Sequence, residues 1–244
     1  MQGLGNKFAV IRGPYIPSDT AKVRELCDEK TDGGADGLLV VTPIDSSRVR
    51  MSFWNADGSE SEMCGNGLRC AARFAVDNQL VNPGEFIVDT KAGRLAVVWD
   101  GENPDKIEVQ VGKVKIVPKP ALLEGIHFYI VDVGNPHAAT FVDNVENAPV
   151  TTLGPKIETH DIFPNRTNVE FIEIVAPNRI KVRVWERGCG ETKACGTGMV
   201  AAAKLSNEVM DTSLPVTVVA RGGEAKVWLD DEGYCRMVGP ANYI

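Results

Sequence analysis

The chain carries a repeat of itself. Residues 48–74 (RVRMSFWNADGSESEMCGNGLRCAARF) slide without a gap onto residues 179–205 (RIKVRVWERGCGETKACGTGMVAAAKL) at an offset of 131, and eight of the 27 positions are identical. Arg48, Trp54, Glu60, Cys64, Gly65, Gly67, Ala71 and Ala72 meet Arg179, Trp185, Glu191, Cys195, Gly196, Gly198, Ala202 and Ala203. Shared Cys, Trp and Gly in one frame are hard to obtain by chance, and a repeat changes how every motif is read. The match extends outward: Gly5-Asn6 meets Gly134-Asn135, Thr20 meets Thr151, and GRLAVVWD from Gly93 resembles GEAKVWLD from Gly223. The expectation is two homologous lobes, 1–117 carrying Cys64 and 118–244 carrying Cys195, divided near Pro118-Lys119-Pro120, with the extreme C-terminus free to pack back on the first lobe.

Within each lobe short alternating segments dominate. Val49, Met51 and Phe53 recur as Ile180, Val182 and Val184, and Leu95, Val97 and Trp99 as Ala225, Val227 and Leu229, the period-2 pattern of half-buried strands. Two helices per lobe interrupt them. One is expected from about Ser18 to Asp28, capped by Ser18, with Val23, Leu26 and Cys27 on one face; its counterpart begins near Thr151. The other starts at the cysteine motif, where Cys64-Gly-Asn-Gly leads into LRCAARFAVD and Cys195-Gly-Thr-Gly into MVAAAKLSNEV. Both are Ala-rich and apolar on most sides, as a helix enclosed by sheet would be. The fold class is therefore α+β, each lobe a mixed, barrel-like sheet around a central helix, with the active site expected between lobes.

Composition narrows the function. Hydrophobic residues at 43% and charged residues at 24% describe a soluble globular chain, and a formal charge of −7 argues against a nucleic-acid partner. No run approaches the roughly 18 consecutive apolar residues of a membrane span, and Met1–Ile11 lacks a secretory signal, so no membrane partner and a cytoplasmic location are expected. There the six cysteines would stay reduced.

A C-G-x-G opening on a buried helix has chemical consequences. Glycines let a ligand approach the backbone, and the first turn presents N–H groups that can bind a carboxylate. The same groups lower the pKa of a cysteine there toward a range of roughly 3.5 to 7.5, so reactive thiolates are expected at Cys64 and Cys195. Two such thiols suit inversion of a stereocentre, which needs a base on one face of the carbon and an acid on the other. No pyridoxal motif or metal cluster is evident. The spacings Cys64 to Cys70 and Cys189 to Cys195 are not the C-x₂-C of zinc modules, so neither cofactor nor metal is expected.

At this point the motifs NADGSESEMCGNGLRCAARF and VWERGCGETKACGTGM, with GLGNKF, GNPHA at Gly134 and RTNVEF at Arg166, closely resemble diaminopimelate epimerase over essentially the whole chain. The resemblance implies interconversion of LL- and meso-2,6-diaminopimelate for lysine and peptidoglycan-precursor biosynthesis, without pyridoxal phosphate. It implies acid/base roles for Cys64 and Cys195, and carboxylate binding at the reacting centre by Gly65, Asn66, Gly196 and Thr197. Asn6, Asn55, Asn135, Asn168, Glu186 and Arg187 would hold the rest of this small-molecule substrate, and His137 and Glu186 would tune the thiols. Three positions depart from the family's usual pattern: Gly37, where Gln is often found; Lys7, where Asp is commoner; and the ending GPANYI, which stops at Ile244 before the tyrosine of the family's dimer. A homodimer is the one protein partner the resemblance carries.

Plainer readings compete. Cys64 and Cys195 could be packing residues, though packing does not require the same glycine frame twice. Cys27, Cys70, Cys189 and Cys235 are read as structural, and Trp54 and Trp185 as core. His137 could cap a turn, and Glu186 with Arg187 could form a surface ion pair. Other amino-acid racemases on the two-thiol plan, a Cys64–Cys195 redox switch and a catalytically dead binding module remain as alternative functions.

Overall fold

Strands in this chain are short and, in the first half, the run GLLVV from Gly37 is apolar on both faces. That pattern makes a sheet covered on both sides. The computed structural model describes residues 1–15, 19–28, 30, 34–61 and 64–244. They fall into two compact units, Met1–Gln110 with Val238–Ile244, and Val111–Met237. The first contains β1 (Gln2–Gly3), β2 (Asn6–Arg12), α1 (Thr20–Cys27), β3 (Gly37–Asp45), β4 (Arg48–Asn55), β5 (Glu60–Ser61), α2 (Gly65–Asp77), β6 (Gly84–Thr90) and β7 (Gly93–Trp99), then β8 (Ile107–Gly112). The second contains β9 (Lys115–Ile116), β10 (Ala121–Leu123), β11 (Ile126–Asp132), β12 (Pro136–Phe141), α3 (Val150–Glu158), β13 (Asn168–Ala176), β14 (Arg179–Glu186), β15 (Gly190–Thr192), α4 (Gly196–Met210), β16 (Val216–Ala220) and β17 (Gly223–Leu229), then β18 (Cys235–Gly239).

The repeat is present strand by strand. In the first unit β2 runs parallel to β3, β3 antiparallel to β4, β4 antiparallel to β5 and parallel to β6, and β6 antiparallel to β7. In the second, β12, β13, β14, β15, β16 and β17 repeat the same pairings in the same order. Even the irregularity recurs, since the register shifts between Pro43 and Asp45 on β3 and between Ile174 and Ala176 on β13, the same offset of 131. Trp54 opposes Glu60 as Trp185 opposes Glu191.

In each unit the sheet curls around its central helix. The helix α2 packs against β1, β2, β3, β4 and β7, and α4 against β11, β12, β13, β14, β16 and β17. Residues 65–72 and 196–203 are buried throughout, so these stretches are mostly apolar because sheet meets them on every side. A smaller helix covers each outer face. Val23 and Cys27 of α1 pack with Leu38, Val40 and Trp54, and Leu153 and Ile157 of α3 with Val169 and Phe171. Alternation therefore turns Leu39 of β3, and Asn168 and Glu170 of β13, toward the central helix.

Asp19 caps α1, accepting from the Lys22 N–H at 2.9 Å, where Ser18 was expected; Ser18 itself lies outside the described residues. A carboxylate one residue nearer the first turn accepts the same bond and complements the helix dipole. The counterpart α3 begins at Val150, next to the expected Thr151. Gly37 has a steric reason: a Cβ there would lie 2.5 Å from both the Phe53 ring and the Trp54 carbonyl oxygen, so a larger residue requires β4 to shift. Among the described residues no helix is long and apolar enough to cross a membrane.

Candidate active site

Each central helix is capped by its cysteine. Cys64 and Cys195 have extended backbones at the N-cap positions, and their Sγ atoms accept from the N–H of Gly67 at 3.5 Å and of Gly198 at 3.4 Å. This is the role a serine or aspartate oxygen ordinarily fills, taken here by sulfur. The duplicated C-G-x-G frame thus sets a thiol at the positive end of each buried helix, beside first-turn N–H groups.

Around Cys64 the polar groups form a directed chain. Arg69, fully buried on α2, donates to the Asn66 Oδ1 at 2.7 Å, and the Asn66 amide donates to the Asn6 Oδ1 at 2.6 Å. Asn6, at the start of β2, lies 3.5 Å from the Asp36 carboxylate, which takes the Lys7 N–H at 2.8 Å. Asn6, Gly65 and Asn66 are therefore gathered at the cap of α2. Asn55, at the end of β4, is held differently, its amide donating to Ser59 Oγ at 3.0 Å within the NADGS turn.

Around Cys195 the chain is acidic. Its Sγ lies 3.4 Å from Thr197 Oγ1, which takes a 3.3 Å bond from the Asn135 amide. Asn135 Oδ1 is 3.0 Å from His137 Nε2, and His137 Nδ1 is 2.7 Å from Glu170 Oε1, with His137 and Glu170 both fully buried. Glu186, at the end of β14, bonds Thr192 and Cys195, and burial pushes its carboxyl above the ordinary range. The parallel register of β12 with β13 sets His137 opposite Asn168. Asn168 in turn takes the Arg187 N–H at 3.0 Å and donates to the Pro136 carbonyl at 3.1 Å. The Arg187 guanidinium is exposed and donates to the Asn165 carbonyl.

The expectation of a low pKa fails at Cys195. Burial, followed by the charges of Glu186 and Glu170, holds this thiol well above its ordinary value, and the bonds from Thr197 and the Gly198 N–H recover only part of that shift. A helix end lowers a thiol pKa where water and cations assist it; here burial beside two carboxylates opposes it. Cys195 is a protonated thiol at neutral pH, suited to delivering a proton.

Three residues escaped the motif reading. Glu170 orients His137, and its Oε2 is buried without a hydrogen-bond partner; the sequence signal was an acid spaced two residues from Asn168, which places it on the same strand face. Thr192 fastens Glu186. Arg69 was detectable as a cation inside the stretch LRCAA that opens the otherwise apolar side of α2. Of the remaining cysteines, Cys27, Cys70 and Cys235 are buried and Cys189 is exposed. Trp54 is buried, whereas Trp185 is only partly so, its indole N–H donating to Glu158 at 2.6 Å.

Known proteins match both this sequence and this fold. A family model described as diaminopimelate epimerase matches residues 1–117 and 129–244. A protein named diaminopimelate epimerase from Bacillus cereus is 41% identical, the match covering 100% of this chain and 93% of the relative; one of the same name from Bacillus mycoides is 40% identical over the same shares. Among solved structures, a PhzF-family phenazine biosynthesis protein from Bacillus anthracis superposes with a TM-score of 0.75 at 16% identity, covering 100% of this chain and 93% of that one. A hydroxyproline epimerase from Agrobacterium vitis superposes with a TM-score of 0.72 at 16% identity, covering 99% and 87%. At such identity the structures speak to the fold alone: both share this α+β architecture. The sequence match over both halves, with the paired cysteine caps, leads to one conclusion: the chain belongs to the diaminopimelate epimerase family.

Proposed function

We propose that this protein interconverts LL- and meso-2,6-diaminopimelate with Cys64 and Cys195 as the two acid/base groups, serving lysine and peptidoglycan-precursor biosynthesis. The observation that carries this reading is the pair of cysteine-capped buried helices, one per repeat. In the forward step one thiolate takes the α-proton, forming an S–H bond as the C–H bond breaks. The electron pair left on carbon spreads into the carboxylate, where first-turn N–H groups at Gly65, Asn66, Gly196 and Thr197 would stabilise it. The opposite thiol then gives its proton to the other face of the carbon and becomes the thiolate, so the reverse reaction exchanges the two roles. Such a scheme needs one thiol from each lobe on either side of a single carbon, and the repeat supplies matching positions. Asn6, Asn55, Asn135, Asn168, Glu186 and Arg187 are proposed to hold the distal amino-acid head, and His137 with Glu186 to tune Cys195.

The test is incubation with LL-diaminopimelate in deuterium oxide under a thiol reductant, following isomer ratio and α-deuterium together. Equilibration of the two isomers with label in the product is expected. An unchanged ratio, with another amino acid racemised instead, rejects the substrate.

A further inference from the structure

Arg69 is among the largest fully buried side chains of the described residues, and nothing in the proton transfer described above uses it. It lies under the first turn of α2, where its guanidinium donates to the Pro240 carbonyl at 3.1 Å, the Gly65 carbonyl at 3.4 Å and the Asn66 Oδ1 at 2.7 Å. Burial pushes it down to about 10, still protonated at neutral pH, and it interacts electrostatically with Cys64 and Cys70. The equivalent position in the second repeat is Val200, itself fully buried, so packing at this site requires no charge. A buried cation is costly unless it is paired or used.

We propose that Arg69 is a positioning residue of the Cys64 site: it fixes the orientation of the Asn66 and Asn6 amides at the cap and places a fixed positive charge beside the Cys64 thiolate. The proposal rests on the reading of Cys64 as an acid/base thiol. Because Arg69 occupies the Asn66 Oδ1, the Asn66 amide can only donate to its neighbour, and it does so to the Asn6 Oδ1. The Asn6 amide in turn points its N–H at the Asp36 carboxylate, 3.5 Å away, which ends the chain. Every dipole in the relay points the same way, from the Arg69 cation to the Asp36 carboxylate, so the cap residues Asn66 and Asn6 are held in one orientation. The charge acts on sulfur as well. A guanidinium favours a thiolate over a thiol, whereas the second repeat surrounds Cys195 with Glu170 and Glu186. The other titratable or charged groups around this site include Cys70, Arg73, the α-amino group of Met1 and, at the far end of the amide chain, Asp36. The two thiols therefore sit in opposite fields.

The test is the pH dependence of iodoacetamide alkylation, mapped by peptide mass on the free enzyme, because access changes a rate but leaves a titration midpoint in place. In the wild-type protein Cys64 should titrate at lower pH than Cys195. Arg69→Met should move the Cys64 midpoint up by about one unit, leave that of Cys195 unchanged, and lower kcat/KM for diaminopimelate about 100-fold. Arg69→Lys, which restores charge without the two-pronged grip, should recover the Cys64 midpoint but not kcat/KM. A wild-type Cys64 midpoint at or above that of Cys195 overturns the proposal, even if Arg69→Met fails to fold. So does an Arg69→Met protein with an unmoved Cys64 midpoint. A wild-type protein that shows the expected thiol pattern and leaves diaminopimelate unchanged would instead overturn the proposed reaction and support the assignment of Arg69.

Discussion

A cysteine at an N-cap holds two roles that compete: its sulfur closes the first turn, and the same atom must give and take a proton. Cys64→Ala and Cys195→Ala are each expected to lower epimerisation by about 10²- to 10⁴-fold, the usual loss for one proton-transfer group. Steady-state rates on diaminopimelate check this, and near-normal turnover in either variant contradicts a two-base scheme. The neighbours of Cys195 can be tested separately. Glu186 is a carboxyl raised by burial, and after burial its charge is the next largest cause that holds the Cys195 thiol up. Glu186→Gln removes that repulsion, so the Cys195 alkylation midpoint should fall by about one unit, and a midpoint that stays or rises would mean the carboxylate does not act on the sulfur. Arg187, exposed and bonded only lightly at its guanidinium, is the residue whose role depends most on substrate. Arg187→Met should lower kcat/KM by roughly 30-fold with a melting point close to wild type, and unaltered kinetics would return Arg187 to the surface.

At the scale of elements, the two central helices share a frame but not an environment. Helix propensity alone favours Ala over Gly by about 1 kcal/mol within a helix. Sterics decide differently at the two sites. A Cβ on Gly67 would meet the Leu39 Cδ2 at 3.1 Å and the Cys64 Cβ at 3.4 Å, and Leu39 is a flexible apolar end. A Cβ on Gly198 would lie 2.7 Å from Glu170 Oε1 and 3.2 Å from the Cys195 Cβ, so it must displace the carboxylate that holds His137. Gly198→Ala should therefore cost about 100-fold in kcat/KM and Gly67→Ala about tenfold at most. Equal losses in the two variants would show that the Glu170 contact carries no weight. On the outer face, Gly154 of α3 meets Trp185 of β14, where an added Cβ would lie 2.7 Å from the indole; this close approach binds α3 to the sheet.

For the whole molecule, buried thiols make stability depend on pH. Burial pushes Cys70 up to about 12 and Cys235 up to about 11, and Cys195 is raised well above its ordinary value. Above about pH 9 the unfolded chain loses these protons and the folded protein keeps them, so the folded state binds more protons and stability falls as pH rises. The fall should run from about pH 9 to about 12, with Cys70 contributing up to about 4 kcal/mol. Thermal midpoints measured from pH 8 to 11 should decline, and less steeply in Cys70→Ala; identical slopes would mean that Cys70 is not desolvated.

Much of this could be read from the residues alone. The repeat, the alternation of β4 and β14, the Ala-rich central helices and the paired cysteine frame are local patterns, and local patterns survive translation into structure because strand and helix periods are set by backbone geometry. The end of α1 was misplaced by one residue because Ser and Asp compete for one cap and both satisfy it. What the one-dimensional pattern could not decide is which equivalent positions differ. Phe8 opposes Gly37 in the first unit where His137 opposes Asn168 in the second, and Leu39 stands where Glu170 does, both facing the central helix. These residues lie 25 positions or more from the cysteines of their units, and only parallel strand pairing and a helix threaded through the sheet bring them within reach. The helix-end rule read from the motif fixed an attractive field at both sulfurs. The tertiary structure kept that field and reversed its outcome at Cys195, because burial and two carboxylates act on an ion more strongly than the partial charges of one helix turn.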